Sequence, residues 1–436
     1  MNTHDAPEGT IRAALRYPAF RKLLGGLAVS QIGDWLYNLA LVTLVYSRTH
    51  SALWAGVTTA ARVVPIVALG PLGGAVADRF DRRRIMIACD LIRLALMLVL
   101  ALVALAHLPI LLAPVVAAAA TAASSPYLAC TSAVTPRLVP DADLGGANAA
   151  RSAVAAIGVI AGPALGGVLL LLGSPALAFV VNAVTFGAAA VAVLAIPAGP
   201  AFAVEAGTPE RPSSLRRDLA DGAAALRAHP EALRLVGADI MCSLVYGMQT
   251  VLLLLVARHA GLGLHGYGYL FAGIGVGALA GTSLAGRVMR LPHPRAVLLA
   301  ALAAAGLPML VLPWASSAVL AIALTATTGV GAILVEILTE TALQRSLPAE
   351  VFGRAYGLAL PASVAGIAAG SLIAPLLVTA LGGTGALVAS GGAVVAYGLV
   401  LLRGTGRAIA PEPAPAGLTP ASAVDPAEKV LAAADV

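Results

Sequence analysis

Asp34 stands within Gln31-Ile-Gly-Asp34-Trp35-Leu-Tyr37-Asn38, inside an apolar run, and Arg62 stands inside the next one. A charge at mid-depth in a bilayer costs several kcal/mol, so such residues persist where they bind, relay or pair. The spacing predicts that the two runs are adjacent and antiparallel, so that carboxylate and guanidinium can meet. Proton chemistry follows: Asp34 takes up and releases a proton, and Arg62 favours its charged form. A permanent structural ion pair is the alternative. Asp90 and Arg93 share a helix face three residues apart, and are expected to latch onto a nearby basic loop, with substrate contact as the alternative. Glu336 and Glu340, four apart, are expected to meet Arg345, Arg137 or Arg93, with a second proton site as the alternative. Asp239 is equally open. Tyr37, Asn38, Tyr127, Asn182, Tyr246 and Gln249 are either cavity-lining polar groups or packing residues.

Those charges are rare in their setting. Of 436 residues 59% are hydrophobic and 11% charged, with a mean hydropathy of +0.92. A soluble domain carries about 25% charged residues. The composition excludes a soluble enzyme, a disordered chain and a disulfide scaffold. Cys89, Cys130 and Cys242 all lie in apolar runs and suggest neither disulfides nor a metal site. No phosphate-binding G-x-x-x-x-G-K-[ST] loop, H-E-x-x-H, C-x-x-C or nucleophile elbow occurs, so no ATP-driven pump, enzyme or cofactor is expected. The net charge of +6 calls for no nucleic acid, because its source is basic loops between apolar spans.

Crossing the hydrocarbon takes about 20 apolar residues per helix. Continuous Ala, Leu, Val and Gly runs, without the alternation of a barrel strand, predict helices. Twelve are expected, at about 20–47, 52–77, 85–106, 109–137, 147–172, 174–196, 232–257, 265–289, 294–314, 316–345, 354–381 and 384–403. With the N-terminus inside, every basic residue except Arg48, Arg62, Arg93 and Arg258 falls in or beside an inner loop or tail. That asymmetry sets both termini on the cytoplasmic side of a cell membrane. Residues 1–19 form a polar N-terminal segment without the apolar core of a cleaved leader. Residues 20–196 and 231–403 form two six-helix bundles. Residues 197–230 form a linker, read either as an amphipathic helix on the inner leaflet or as a solvated connector, and 404–436 a disordered tail.

The two bundles repeat at an offset of 208: Gly73 matches Gly281, Arg79 Arg287, Arg137 Arg345, Pro140 Pro348, Gly158 Gly366 and Gly162 Gly370. Parallel repeats of six helices around a midplane site are the layout of a secondary transporter.

Between the second and third runs lies Gly74-Ala-Val-Ala-Asp78-Arg79-Phe80-Asp81-Arg82-Arg83-Arg84. This loop resembles the G-x-x-x-D-R-x-G-R-R signature of the major facilitator superfamily, with Asp81 in place of the usual glycine; the resemblance covers residues 15–403. The subfamily it is most similar to is the enterobactin-exporter-like transmembrane secretion effectors. The resemblance implies a gate latch made of Gly74, Asp78, Arg79, Arg82 and Arg83. Gly74 is expected to allow close helix approach, and Asp78 to accept from a helix N-terminus and pair with a basic residue. A purely topogenic basic loop is the alternative. The fifth run, Gly158-Val-Ile-Ala-Gly162-Pro163-Ala-Leu-Gly166-Gly167, resembles the antiporter motif of the same superfamily, with Ala149 where an earlier glycine is usual. Ordinary small-residue packing accounts for it equally. The resemblance implies a monomeric proton-coupled exporter of small, partly apolar organic molecules such as drugs or siderophore-type metabolites. An uncoupled facilitator or importer, and a transport-inactive membrane partner, remain as other readings.

Overall fold

A computed structural model describes residues 10–171, 174–203, 223–224, 226–259, 263–346 and 349–402. After a single helical turn at Ile11–Ala14, the long helices are α1 (Pro18–Thr49), α2 (Ala52–Ala77), α3 (Arg82–Leu105), α4 (Leu112–Leu138), α5 (Asp141–Leu171) and α6 (Pro175–Leu194). The second half holds α7 (Pro230–His259), α8 (Gly263–Val288), α9 (Pro294–Val311) and α10 (Ala318–Ser346). The last helical stretch, Ala349–Leu402, is broken at Gly382, whose φ of 71° and ψ of 173° no helix accommodates. It therefore counts as two, α11 (349–381) and α12 (383–402), giving twelve long helices among the described residues. Among the described residues ten stretches are long and apolar enough to cross a membrane, one of them Leu358–Leu401 with α11 and α12 together. The remaining long helix, α1, is the one that carries Asp34.

Local chemistry sets the ends. Proline begins α1 and α6, where its missing N–H goes unneeded. Ser51 and Ser174 accept from the amides of Trp54 and Ala176 to cap α2 and α6. His50, left-handed at φ 50°, closes α1 and reverses the chain within two residues of α2. Several helices start a turn earlier than hydropathy suggests: α3 at Arg82, α5 at Asp141, α11 at residue 349. The first turns of α3 and α5 are charged and helical, which a hydrophobic run cannot register. The tail and residues 204–222 of the linker lie outside the described residues.

Each half has its own core. In the first, α1, α3, α4 and α6 bury Tyr37, Leu41, Met97, Leu100, Phe179 and Phe186. In the second, α7, α9, α10 and α12 bury Leu235, Leu298, Leu302, Val335 and Val394. The halves touch along two seams, α2 against α11 and α5 against α8.

The repeat is visible in packing. A Cβ on Gly73 would lie 2.8 Å from the Ser125 carbonyl oxygen, and one on Gly281 would strike Ile333, the counterpart of Ser125 at the same offset. Gly158 and Gly162 face α1; their mates Gly366 and Gly370 face α7. Equivalent glycines thus serve equivalent helix crossings.

Among the described residues the halves share a core at one end. There Leu39, Val42, Tyr46 and Ala55 of the first half share a core with Val251, Leu254, Tyr267 and Ala374 of the second. Ser371 donates to the Gly56 carbonyl (3.1 Å), and Arg258 to the Tyr46 hydroxyl (3.0 Å). At the opposite end, which carries Lys22 and Arg82–Arg84, the core clusters among the described residues each belong to one half.

Candidate functional site

Three charges from three helices converge in the first half. Asp34 lies near the middle of α1, Arg62 of α2 and Arg93 of α3. Arg93 Nη2 donates to Asp34 Oδ2 at 2.5 Å. The arginine is buried, its guanidinium 3.9 Å from the Phe186 ring centroid. The carboxylate side chain is 26% exposed, so Asp34 is the wetter partner. A charge-assisted pair of this length is strong, and stacking of Arg93 on a ring restricts it further.

This corrects two expectations. Asp34 pairs with Arg93 rather than Arg62, and Arg93 reaches across to α1 rather than to the basic loop. The reason is three-dimensional: α1 packs on both α5 and α6, and α6 in turn against α3, which brings α3's inward face to α1. Neighbours in sequence are not the nearest neighbours here. Arg62 instead stands 5.2 Å from the Tyr37 ring centroid. Its charge is close enough to act on the hydroxyls of Tyr246 on α7 and Tyr267 on α8. Asp90 is fully buried, and both its carboxylate oxygens lack a hydrogen-bond partner.

Asp34, Arg62 and Arg93 border one cavity of about 210 Å³. Its other walls are Gln31, Trp35, Tyr37, Ile66, Met97, Ala120, Thr121, Ser124 and Phe186. Of the polar residues singled out from sequence, Tyr37 lines this cavity. Asn182 is buried and accepts from Thr185. Tyr246, Gln249 and Cys242 border a separate void of about 20 Å³ in the second half. Gln31 and Trp35 flank Asp34 at helical spacing, and Thr121 and Ser124 stand three apart in an alanine run, so a sequence signal existed for these four. Met97 and Phe186 carried none.

The second acidic group is set apart. Asp239 accepts from Ser363 at 2.5 Å. Glu336 lies near enough to Asp239 and Glu340 for their charges to interact. Of the expected partners, Arg93 is held by Asp34, Arg137 donates to the carbonyls of Pro200 and Ala203, and the side chain of Arg345 lies outside the described residues.

The basic loop differs from expectation in detail. Gly73, not Gly74, makes the close approach; a Cβ on Gly74 would meet open space. Asp78 is 76% exposed and only 3.8 Å from Arg82, four residues on. Asp81 is the residue that accepts from a helix N-terminus, taking the Arg84 amide at 2.9 Å. The basic side chains reach the far end of α6 in their own half. Arg83 donates to the Leu194 carbonyl and Lys22 to that of Ala195, each at 2.7 Å. Arg82 and Arg137 both donate to the Ala203 carbonyl. Carbonyls at a helix C-terminus have no intrahelical donor and carry partial negative charge, so cations settle there.

The glycine run of α5 uses two faces. Gly158, Gly162 and Gly166 meet Gln31, Trp35 and Leu39 of α1, four residues apart on each parallel helix. Pro163 and Gly167 meet Gly268 of α8, where a Cβ would lie 2.8 Å from the Pro163 carbonyl oxygen. The motif therefore places α5 against both the charge-bearing helix and the other half.

The sequence model of the Major Facilitator Superfamily matches residues 23–371. The chain belongs to the major facilitator superfamily. This member is 28% identical over 395 residues to an uncharacterized MFS-type transporter, YfiS, of Bacillus subtilis (strain 168), covering 88% of the chain and 92% of the relative. It is 30% identical over 151 residues to macrolide efflux protein A of Streptococcus pyogenes, covering 34% of the chain and 37% of that protein. The crystal structure of the nucleoside transporter NupG superposes with a TM-score of 0.72 at 13% identity, over 88% of the chain and 98% of NupG. At that identity the likeness is one of fold. Residues 23–371 span both halves, so this superfamily member is a multi-pass membrane transporter and not an enzyme.

Proposed function

We propose that the protein exports small, partly apolar organic molecules in exchange for protons, with Asp34 as the proton carrier and Arg93 as its counter-charge. The observation that carries this reading is the Asp34–Arg93 pair at the wall of the first-half cavity, with the carboxylate partly exposed and the arginine buried. Protonating Asp34 would free Arg93, so a proton changes the charge of the cavity that a bound molecule meets. The partial likeness to a macrolide efflux protein supports an outward direction. With both termini cytoplasmic, as the basic residues suggest, the halves are sealed on the outside and the cavity faces inward. Asp78, Arg79, Arg82 and Arg83 would then latch the halves only in the opposite, outward-open state.

The test is proton movement in sealed vesicles. Reconstituted protein is expected to exchange lumenal protons for substrate, and Asp34→Asn to abolish that coupling at unchanged protein level. Coupled exchange by Asp34→Asn at the native rate would end the carrier role.

A further inference from the structure

With Asp34 occupied by Arg93, the cavity is left with an unmatched positive charge. Its bordering charges are Asp34, Arg93 and Arg62, and among the described residues no carboxylate lies within salt-bridge distance of Arg62. The Arg62 Nε is buried and without an acceptor. A guanidinium over the Tyr37 ring is eased by the ring's electron density but not neutralised. A partly desolvated cation without a counter-ion is costly, and an entering anion would recover that cost.

The neighbouring walls agree with such a guest. Trp35 and Ile66 offer flat and aliphatic surface. Gln31 supplies a neutral amide. The Thr121 and Ser124 hydroxyls already donate to the backbone of their own helix, at Ala117 and Thr121. A cationic guest would find its natural partner, Asp34, already taken and would face Arg62 across the same space. At about 210 Å³ the cavity takes one end of a drug-sized molecule.

We propose that Arg62 anchors an acidic group of the transported molecule, so that the substrate class is small organic acids with an apolar or aromatic body, carboxylate seated on Arg62 and apolar body against Trp35 and Ile66. This rests on the reading of the cavity as the transport site. A planar guanidinium binds carboxylate through two parallel hydrogen bonds, which lysine cannot reproduce.

Three probes of one shape test it: 1-naphthoate, 1-naphthamide and 1-naphthylmethylammonium, titrated by calorimetry into purified native protein and into Arg62→Gln and Arg62→Lys. Micelle partitioning is common to all proteins and cancels in the comparison. Native protein is expected to bind the carboxylate at least tenfold tighter than the amide and to bind the ammonium weakest. Arg62→Gln should lose that preference while still binding the amide, and a native thermal unfolding temperature of this variant reports an intact fold. Arg62→Lys should keep the preference at several-fold lower affinity. Equal binding of carboxylate and amide by the native protein, preference for the ammonium, no binding of the carboxylate, or full preference in Arg62→Gln would each overturn the anchor. Should Asp34→Asn remain coupled while Arg62→Gln loses the preference, the proton carrier fails and the anchor stands; coupling lost in the first and preference kept in the second would remove the anchor alone.

Discussion

Asp34 and Arg93 illustrate how much a single pairing decides. Removing one member of a fully buried pair strands the other charge and costs about 3–5 kcal/mol, and less where one partner is partly exposed as Asp34 is, whereas replacing both by uncharged groups can be near neutral. Arg93→Met should therefore lower the thermal unfolding temperature in detergent markedly, and the double variant Asp34→Asn/Arg93→Met should recover most of the loss. A double variant as unstable as the single would mean that the pair contributes no mutual neutralisation. Asp34 stood out in the sequence as a candidate because a carboxylate in an apolar run has few other reasons to persist. Its partner was not legible: Arg62 and Arg93 are both mid-helix arginines, and only the packing of α1 and α3 against α6 separates them.

Among the elements, the basic loop and the fifth helix make distinct predictions. Asp81 caps α3, so Asp81→Ala should destabilise by about 0.5–2 kcal/mol, the usual value of an N-cap. Asp78 is largely exposed, so Asp78→Asn should leave the protein at native abundance in the membrane while lowering transport; transport at the native rate would remove Asp78 from the gate. In α5, a Cβ on Gly162 would stand 2.8 Å from the Ile32 carbonyl oxygen, while one on Gly74 would touch nothing. Overpacking costs about 1–3 kcal/mol, so Gly162→Ala should reduce thermal stability and Gly74→Ala should not. Equal stabilities would show that α5 can move away from α1 at no cost. The glycine spacing was visible in sequence, but not which face meets α1 and which meets α8, since two helices packing on one stripe read the same as one.

For the whole molecule, closure at a single end predicts dependence on reopening there. Tyr46 and Arg258 touch across the halves at the sealed end. A Tyr46→Cys/Arg258→Cys pair, in a background without Cys89, Cys130 and Cys242, should be joined by a short thiol cross-linker. Transport should stop on cross-linking and return on cleavage of the linker. Transport by fully cross-linked protein would rule out alternate opening of the two ends.

What the sequence alone determined is what depends on solvent and repetition. Apolar length set the helices, the distribution of arginine suggested their direction, and the 208-residue offset set the two halves. These are sums over many residues, and a few misplaced helix ends do not change them. Tertiary structure decided the rest: that Arg93 and not Arg62 holds Asp34, that Asp81 rather than Asp78 caps a helix, and that the basic side chains tie down the end of α6. Each is a contact between residues distant in sequence or a choice among identical side chains. Hydropathy is blind to both, because it records how much a residue avoids water and not which partner it finds.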